Sequence, residues 1–197
     1  MSEGLLLLAP LRIEALAARR GAPNATVMRV GMGPDRAAKA AHAAARQPGR
    51  AVAVLGFCGA LDPELQPGDL VVADELRGAN GPFACNGAEA LASALERTGL
   101  TARRGPLVSV RKIARGSRRA ELAADGSIAV DMESAWLAPA AAGRPFATVR
   151  AVVDTPSREL LRPGTVAAGI TAYRALGRAA GALTSWMESL PEQEAQS

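Results

Sequence analysis

The residues best suited to chemistry are carboxylates at the ends of predicted β-strands. Asp131 and Glu133 follow the short apolar strand 128–130, where a helix should begin. Asp154 follows the β-rich run 146–153. Because strand C-termini line the ligand crevice of open α/β sheets, we expect these carboxylates to converge on one small molecule. Buried acids need a partner or a shifted pKa, which suits them to acid or base catalysis.

Each of these acids also has a purely structural interpretation. Asp131 could stabilise a helix N-terminus through the helix dipole. Asp154 could belong to an ordinary turn with Thr155 and Pro156. Either explanation is sufficient for one acid alone, but acids at two strand ends together favour a site.

Length and composition indicate one cytoplasmic domain. The chain has 197 residues, of which 49% are hydrophobic and 3% aromatic, so its core must be built from Ala, Val and Leu. Cys58 and Cys85 are too few for a disulfide framework and are predicted to be reduced. The apolar run 5–8 lacks a basic n-region and soon meets charged residues, unlike a signal peptide or a membrane span.

The positive net charge of the chain comes mainly from arginine. The net charge is +4 and the pI is about 9.8. One cluster of basic residues could meet an anionic surface: Arg103, Arg104, Arg111, Lys112, Arg115, Arg118 and Arg119. No nucleic-acid-binding motif and few aromatic residues accompany this charge, so we interpret the cluster as a solvated face and expect no nucleic-acid partner. A weak contact with a membrane surface stays open.

Short apolar strands alternate with helices along the chain. This order is typical of an α/β domain with a mixed central β-sheet flanked by helices. Strands are predicted at 4–9, 25–30, 51–55, 70–73, 106–110 and 146–153, and helices at 13–20, 35–46, 88–98 and 165–190. Residues 77–87 are expected to form a loop within a single domain spanning 1–190, followed by a disordered tail at 191–197.

The N-terminal part of the chain adds a carboxylate and a glycine turn. Glu14 follows the first strand, and taken alone it is best interpreted as a solvent-facing helix acid. Gly31 and Gly33 form a Gly-x-Gly turn before a helix, where backbone N–H groups can bind phosphate or a ribose oxygen. His42 falls within an Ala-rich helix and is interpreted as a packing or surface residue rather than a catalyst.

A second glycine-rich segment follows the predicted strand 51–55. Gly56 and Gly59 let a ligand approach the backbone closely, with Phe57 and Cys58 between them. The segment resembles a nucleophile elbow, but turns rather than a helix follow it. We therefore expect this segment to bind substrate, and we do not expect Cys58 to be a nucleophile.

The order of these motifs resembles the nucleoside phosphorylase and nucleosidase superfamily. The matching features are a glutamate after the first strand, the Gly-x-Gly turn, and segments 55–61, 67–72, 130–134 and 149–154. The resemblance covers about residues 4–185, and the Met-Glu-Ser and Arg-x-x-x-Asp pair is its most specific part. It implies a phosphorylase/hydrolase-like α/β fold and a homo-oligomer.

The resemblance also implies roles for single residues. Glu133 would bind the sugar hydroxyls, Met132 would pack on the sugar, and Asp154 would protonate the leaving purine. In the hydrolytic branch a glutamate after the first strand activates water, and Glu14 resembles that residue. No cofactor or metal is implied; phosphorolytic members use phosphate as a co-substrate, held by arginines and the Gly-rich turn.

Among subfamilies, the form of residues 129–134 most resembles the hopanoid-associated phosphorylase group, whose members are taken to remove adenine from adenosylhopane. One alternative is a methylthioadenosine/S-adenosylhomocysteine-type nucleosidase. Another is a phosphate-dependent purine nucleoside phosphorylase, favoured if Arg29, Arg36 or Arg77 converge on the Gly-x-Gly turn. A third is a non-catalytic nucleotide- or lipid-binding relative, because Phe57 stands where the family has a small residue and could fill part of the pocket.

Overall fold

A computed structural model of the chain describes residues 4–156 and 165–191. The strands are β1 Leu5–Ala9, β2 Thr26–Arg29, β3 Ala51–Ala60, β4 Leu70–Arg77, β5 Phe83–Ala84, β6 Ala102–Ser109, β7 Ala129–Asp131 and β8 Phe146–Asp154. The helices are α1 Arg12–Gly21, α2 Pro34–Ala45, α3 Ala88–Arg97, α4 Ser117–Ala124, α5 Ser134–Leu137 and α6 Thr165–Glu188, and a 3-10 turn spans Ala138–Ala141. This alternation confirms the predicted α/β class with a mixed sheet.

Strand β3 organises the sheet. It pairs in parallel with β1, which carries β2 on its other side, and in parallel with β8. Beyond β8 the pairing continues antiparallel to β4, then parallel to β6 and β7, and β7 returns antiparallel to the end of β3. These pairings therefore close a ring of five strands: β3, β8, β4, β6 and β7. The ends of β3, β7 and β8 lie beside one another.

The prediction that β3 ends at Leu55 is wrong, because the strand continues to Ala60. Glycine normally weakens a strand, so Gly56 and Gly59 resembled a strand end in the sequence. In the structure they leave room for charged side chains. A Cβ on Gly56 would lie 2.2 Å from Nη1 of Arg150, and one on Gly59 would lie 2.4 Å from Nη2 of Arg119.

The predicted loop 77–87 contains a strand. Strand β4 extends to Arg77, four residues beyond its predicted end at Ala73. Its last part pairs antiparallel with β5, through Glu75 and Ala84 and through Leu76 and Phe83. Polar and glycine residues hid this hairpin in the sequence.

Helices α1 and α6 cover one part of the sheet and pack closely on each other. A Cβ on Gly21 would lie 1.9 Å from the carbonyl oxygen of Gly177, so only glycine allows this approach. Helix α6 is continuous across its glycines, so they do not break it. Gly177 and Gly181 face the backbone of α1, whereas Gly169 has no close neighbour among the described residues. None of the described helices is long and apolar enough to cross a membrane. Of the tail predicted from residue 191, residues 192–197 lie outside the described part of the chain.

Candidate active site

A cavity of about 300 Å³ lies where β3, β7 and β8 end and α1 begins. The residues predicted for a site that line it are Glu14, Phe57, Cys58, Met132, Glu133 and Asp154. Gly56 lies behind this wall, and the Gly31–Gly33 turn reaches the site through one hydrogen bond to Glu133. The predicted convergence of carboxylates from separate strand ends is therefore present in the structure.

A larger groove of about 680 Å³ elsewhere on the surface has a different character. Its charged lining includes Asp62, Glu64 and Arg103, and the guanidinium of Arg103 pairs with both acids at 3.1 Å on the exposed surface. None of the residues predicted for chemistry lines this groove. We therefore assign the chemistry to the smaller cavity.

Glu14 is buried, which corrects the interpretation of it as a solvent-facing acid. It is the third residue of α1 and is 2% exposed. The N–H of Leu11 donates to Oε2 at 2.5 Å, and the N–H of Phe57 donates to Oε1 at 2.7 Å. Burial raises the pKa of Glu14 to about 7, although nearby Arg150 and these two N–H groups act in the opposite direction. Such a carboxylate can take a proton near neutral pH.

Arg150 holds the acids of the β7–α5 junction together. It is fully buried, and its Nη2 pairs with Oδ2 of Asp131 at 2.6 Å. The Ser134 hydroxyl accepts from Nη2 and Nε of Arg150 at 2.8 and 3.1 Å, and donates to Oδ2 of Asp131. The Ser109 hydroxyl donates to Oδ1 of Asp131 at 2.5 Å. Asp131 is thus occupied by protein partners, whereas Glu133 lies farther out, with Oε2 4.0 Å from Nη2.

Glu133 connects the site to the Gly-x-Gly turn. The N–H of Gly33 donates to Oε1 of Glu133 at 2.8 Å, and burial raises the pKa of Glu133 against the opposing effect of Arg150. Gly31 and Gly33 have φ values of 88° and 93°, which L-residues with side chains rarely adopt. The turn therefore orients a carboxylate, and the Gly33 amide is already engaged.

Of the arginines weighed for phosphate binding, Arg36 lies at this turn and Arg77 does not. The stem of Arg36 packs on Gly31, since a Cβ there would lie 2.8 Å from Cδ of Arg36. Arg77 instead binds Glu75 and the carbonyl oxygen of Asp125, each at 2.5 Å. The structure therefore does not bring all three of these arginines together at the turn.

Asp154 lies at the other end of the cavity, paired with a residue that the sequence analysis misplaced. Nη2 of Arg119 lies 2.6 Å from Oδ2 of Asp154, and both side chains are 5% exposed. Assigning Arg119 to a solvated face is therefore wrong, although the other members of that cluster are exposed. The carboxylate that the sequence analysis assigned to proton donation is therefore engaged by a guanidinium.

A weak signal for the burial of Arg119 exists in the sequence. Helix α4 buries Arg119 and Leu122, three residues apart on one helix face. The apolar Leu122 marks the inward face, and Arg119 shares it. The surrounding run of arginines concealed this periodicity.

The remaining wall of the cavity is mostly apolar. It includes Val110, Ala114 and Val153, together with Met32 and Ile113, which are both 51% exposed. Burial raises the pKa of the Cys58 thiol far above its usual range, so it is not a ready nucleophile. His42 is exposed on α2 and does not line the cavity. The described residues contain no cluster of His, Cys, Asp and Glu suited to a metal ion.

Comparison with solved structures gives close matches in fold at low sequence identity. The 5′-methylthioadenosine/S-adenosylhomocysteine nucleosidase of Helicobacter pylori, solved with butyl-thio-DADMe-Immucillin-A, has a TM-score of 0.80 and 15% identity, covering 96% of this chain and 100% of its own. The corresponding Neisseria meningitidis nucleosidase has a TM-score of 0.80 and 19% identity, covering 95% and 100%. The Helicobacter pylori futalosine hydrolase has a TM-score of 0.77 and 15% identity, covering 95% and 98%.

Sequence comparison identifies the family. No curated protein sequence matches the chain. The family model described as the phosphorylase superfamily matches residues 17–185, a range that contains Glu133, Arg150 and Asp154 and begins just after Glu14. Because this match spans most of the chain, the protein belongs to the phosphorylase superfamily.

Proposed function

We propose that the protein is an enzyme that hydrolyses the N-glycosidic bond of a purine nucleoside and releases adenine. The observation that carries the proposal is one cavity lined by Glu14 and Glu133 on one side and by Asp154 on the other. The fold is that of nucleosidases whose solved structures contain purine nucleoside analogues. Membership of the phosphorylase superfamily supports the same class of reaction.

The charges suit the breaking of a bond between sugar and base. As this bond breaks, the sugar becomes cation-like and the purine gains negative charge. Glu133 would bind the sugar hydroxyls, with Met132 packed on the sugar, so that anionic groups surround the developing cation. Asp154 would lie at the departing base, where its ion pair with Arg119 offsets its negative charge. The carboxylates around the sugar then stabilise the transition state more than the ground state.

Glu14 would supply the nucleophile. Its pKa of about 7 and its fixed orientation by two backbone N–H groups suit it to removing a proton from water. Water is favoured over phosphate because the Gly33 N–H is engaged by Glu133 and Arg77 lies against Asp125. Phosphorolysis remains an outcome of the test described below.

The substrate within this class would be adenosylhopane, in hopanoid biosynthesis. A lipid-linked nucleoside is supported by the apolar cavity wall and by Met32 and Ile113, which line the cavity and are half exposed. Exposed Arg111, Lys112 and Arg115 surround Ile113 and would allow a weak contact with an anionic membrane surface. A methylthioadenosine-type nucleoside is the alternative substrate.

The test is adenine release from adenosylhopane, 5′-methylthioadenosine and adenosine, with and without phosphate. Wild type and Asp154→Asn are compared, with His42→Ala as the control because His42 is exposed outside the cavity. We expect release without phosphate, fastest from adenosylhopane, a large loss in Asp154→Asn and no change in the control. Release that requires phosphate would contradict hydrolysis, and no release from any substrate would contradict the enzyme assignment.

A further inference from the structure

We propose that Arg119 contacts the leaving base and that its guanidinium stabilises the departing purine. The inference rests on the proposed function, which supplies the base-leaving reaction. Arg119 on α4 would be the hydrogen-bond donor at the end of the cavity where the base lies, which we call the base end. Asp154 would orient this donor.

Arg119 is buried at the wall of the cavity. The residue lines the cavity, is 4% exposed and pairs with Asp154 through Nη2 at 2.6 Å. Its Nε donates to the carbonyl oxygen of Ala114 at 3.2 Å. The next residue back, Arg118, is exposed and pairs with Glu121. Two adjacent arginines on one helix therefore have opposite environments.

Arg119 also carries an unsatisfied hydrogen-bond donor. Nη1 of Arg119 is buried and has no hydrogen-bond partner among the described residues. A buried donor without an acceptor is destabilising, and more so when it is charged. A ligand in the cavity that offers an acceptor would remove this cost. A purine ring nitrogen is such an acceptor, and it becomes a stronger one as the glycosidic bond breaks.

The backbone of β3 leaves space for the ion pair. A Cβ on Gly59 would lie 2.4 Å from Nη2 of Arg119 and 2.8 Å from Oδ1 of Asp154. The absence of a side chain at this point of β3 therefore allows the ion pair to occupy the base end of the cavity. Three elements, β3, β8 and α4, fix its position.

The chemical step balances without a proton from Arg119. Water adds to C1′ of the sugar and passes one proton to Glu14, while the C1′–N9 bond breaks and its electron pair moves to the purine. The hydrogen bond from Arg119 stabilises the purine anion, and the guanidinium keeps its proton because it is always charged in proteins. The released purine takes a proton from solvent, and Glu14 returns its proton to solvent.

This role predicts a dependence on the leaving group. Arg119→Met is compared with the adjacent exposed control Arg118→Met. One substrate is the purine nucleoside that wild type cleaves fastest, and the other carries 4-nitrophenolate in place of the purine. We expect Arg119→Met to lower kcat/KM for the purine nucleoside by about 10²–10³-fold, as loss of one preorganised donor does, and for the nitrophenyl riboside by less than about tenfold. Arg118→Met should match wild type on both.

The pH profile gives a second readout. A donor that does not titrate leaves kcat/KM level above the rise set by Glu14, whereas a protonated Asp154 acting as general acid would give a fall at alkaline pH. An alkaline fall in wild type would overturn the inference, as would equal losses of Arg119→Met on both substrates. If Arg119→Met does not fold, Arg119→Lys replaces it, with a smaller loss in the same direction expected. A wild type that cleaves neither substrate contradicts the proposed function itself.

Discussion

Arg150 and Arg119 are the two buried arginines of the described chain, and they serve opposite ends of one cavity. Arg150 faces three acids: it pairs with Asp131 and lies near Glu133 and Glu14. Arg119 pairs with Asp154 and keeps its Nη1 without a partner among the described residues. Among the described residues, the cavity end at Arg150 is therefore rich in negative charge. The end at Arg119 is close to neutral and keeps an unsatisfied hydrogen-bond donor.

This difference matches the polarity of glycosidic bond cleavage. A cation-like sugar is stabilised by the acid-rich end, and an anionic base by the end that carries the spare donor. Raised pKa values of Glu14 and Glu133 limit how much negative charge the acid-rich end holds before substrate binds. A developing positive charge would favour their ionised forms. The site is thus electrostatically arranged for the transition state rather than for the empty cavity.

The largest expected effect is that of Arg150→Met. The substitution leaves Asp131 and Glu133 buried without their cation, which typically costs about 3–5 kcal/mol of folding free energy. Arg119→Met should cost less, since it removes the partner of a single acid. Urea unfolding followed by circular dichroism measures both, and equal losses would remove the distinction between the two ends.

Glu14→Gln tests the acid-rich end by activity. Loss of a general base typically lowers the rate by about 10²–10⁴-fold. In wild type, kcat/KM should rise with pH through about 7, because Glu14 must be ionised to accept a proton. The rise should disappear in Glu14→Gln. A wild-type profile that is flat from pH 5 to 9 would mean that another group activates water.

The two ends also differ in how well the sequence predicts them. Glu133 and Asp154 belong to short motifs at strand ends, so their convergence follows from the α/β pattern. Arg150 lies in the middle of β8, and its contacts with the acids come from tertiary packing. Arg119 lies in a run of exposed basic residues, and its burial depends on a partner 35 positions away in sequence. Only tertiary packing brings these two residues together. Local pattern alone therefore cannot separate Arg119 from Arg118.

Secondary structure, too, is predictable from the sequence only where it depends on local pattern. Helices α1, α2, α3 and α6 and the apolar strands follow from periodicity, because their core residues repeat at regular spacing. The continuation of β3 through Gly56 and Gly59 does not follow from periodicity, since glycine ordinarily weakens a strand. Its cause is the pairing of this segment with β8 and β7. The burial of Glu14 is likewise due to contacts with Phe57 and Leu11.

Burial of Glu14 should also make stability depend on pH. The pKa rises from 4.5 in the unfolded chain to about 7 in the folded protein, so the unfolded state binds fewer protons between these values. Wild-type stability should therefore fall as pH increases from 4.5 to 7 and level off above. Glu14→Gln should lack this contribution. The measurement is the difference in Tm between the two proteins from pH 5 to 8, and a constant difference would contradict the raised pKa.

The smallest expected effects come from substitutions at Gly56 and Gly59. The missing side chain of Gly56 leaves room for Arg150, and that of Gly59 leaves room for Arg119. Gly56→Ala places a Cβ against Arg150 and Glu14, and Gly59→Ala places one against Arg119 and Asp154. Overpacking of this kind typically costs about 1–3 kcal/mol, with the greater cost at Gly56 because Arg150 has more partners to displace.

The two variants should separate by substrate. Gly59→Ala disturbs the base end, so it should slow the purine nucleoside more than the nitrophenyl riboside. Gly56→Ala disturbs the water-activating end, so it should slow both substrates alike. The measurement is kcat/KM of each variant on both substrates. Thermal unfolding establishes that each variant is folded. Indistinguishable substrate preferences would mean that the two ends of the cavity are not functionally separate.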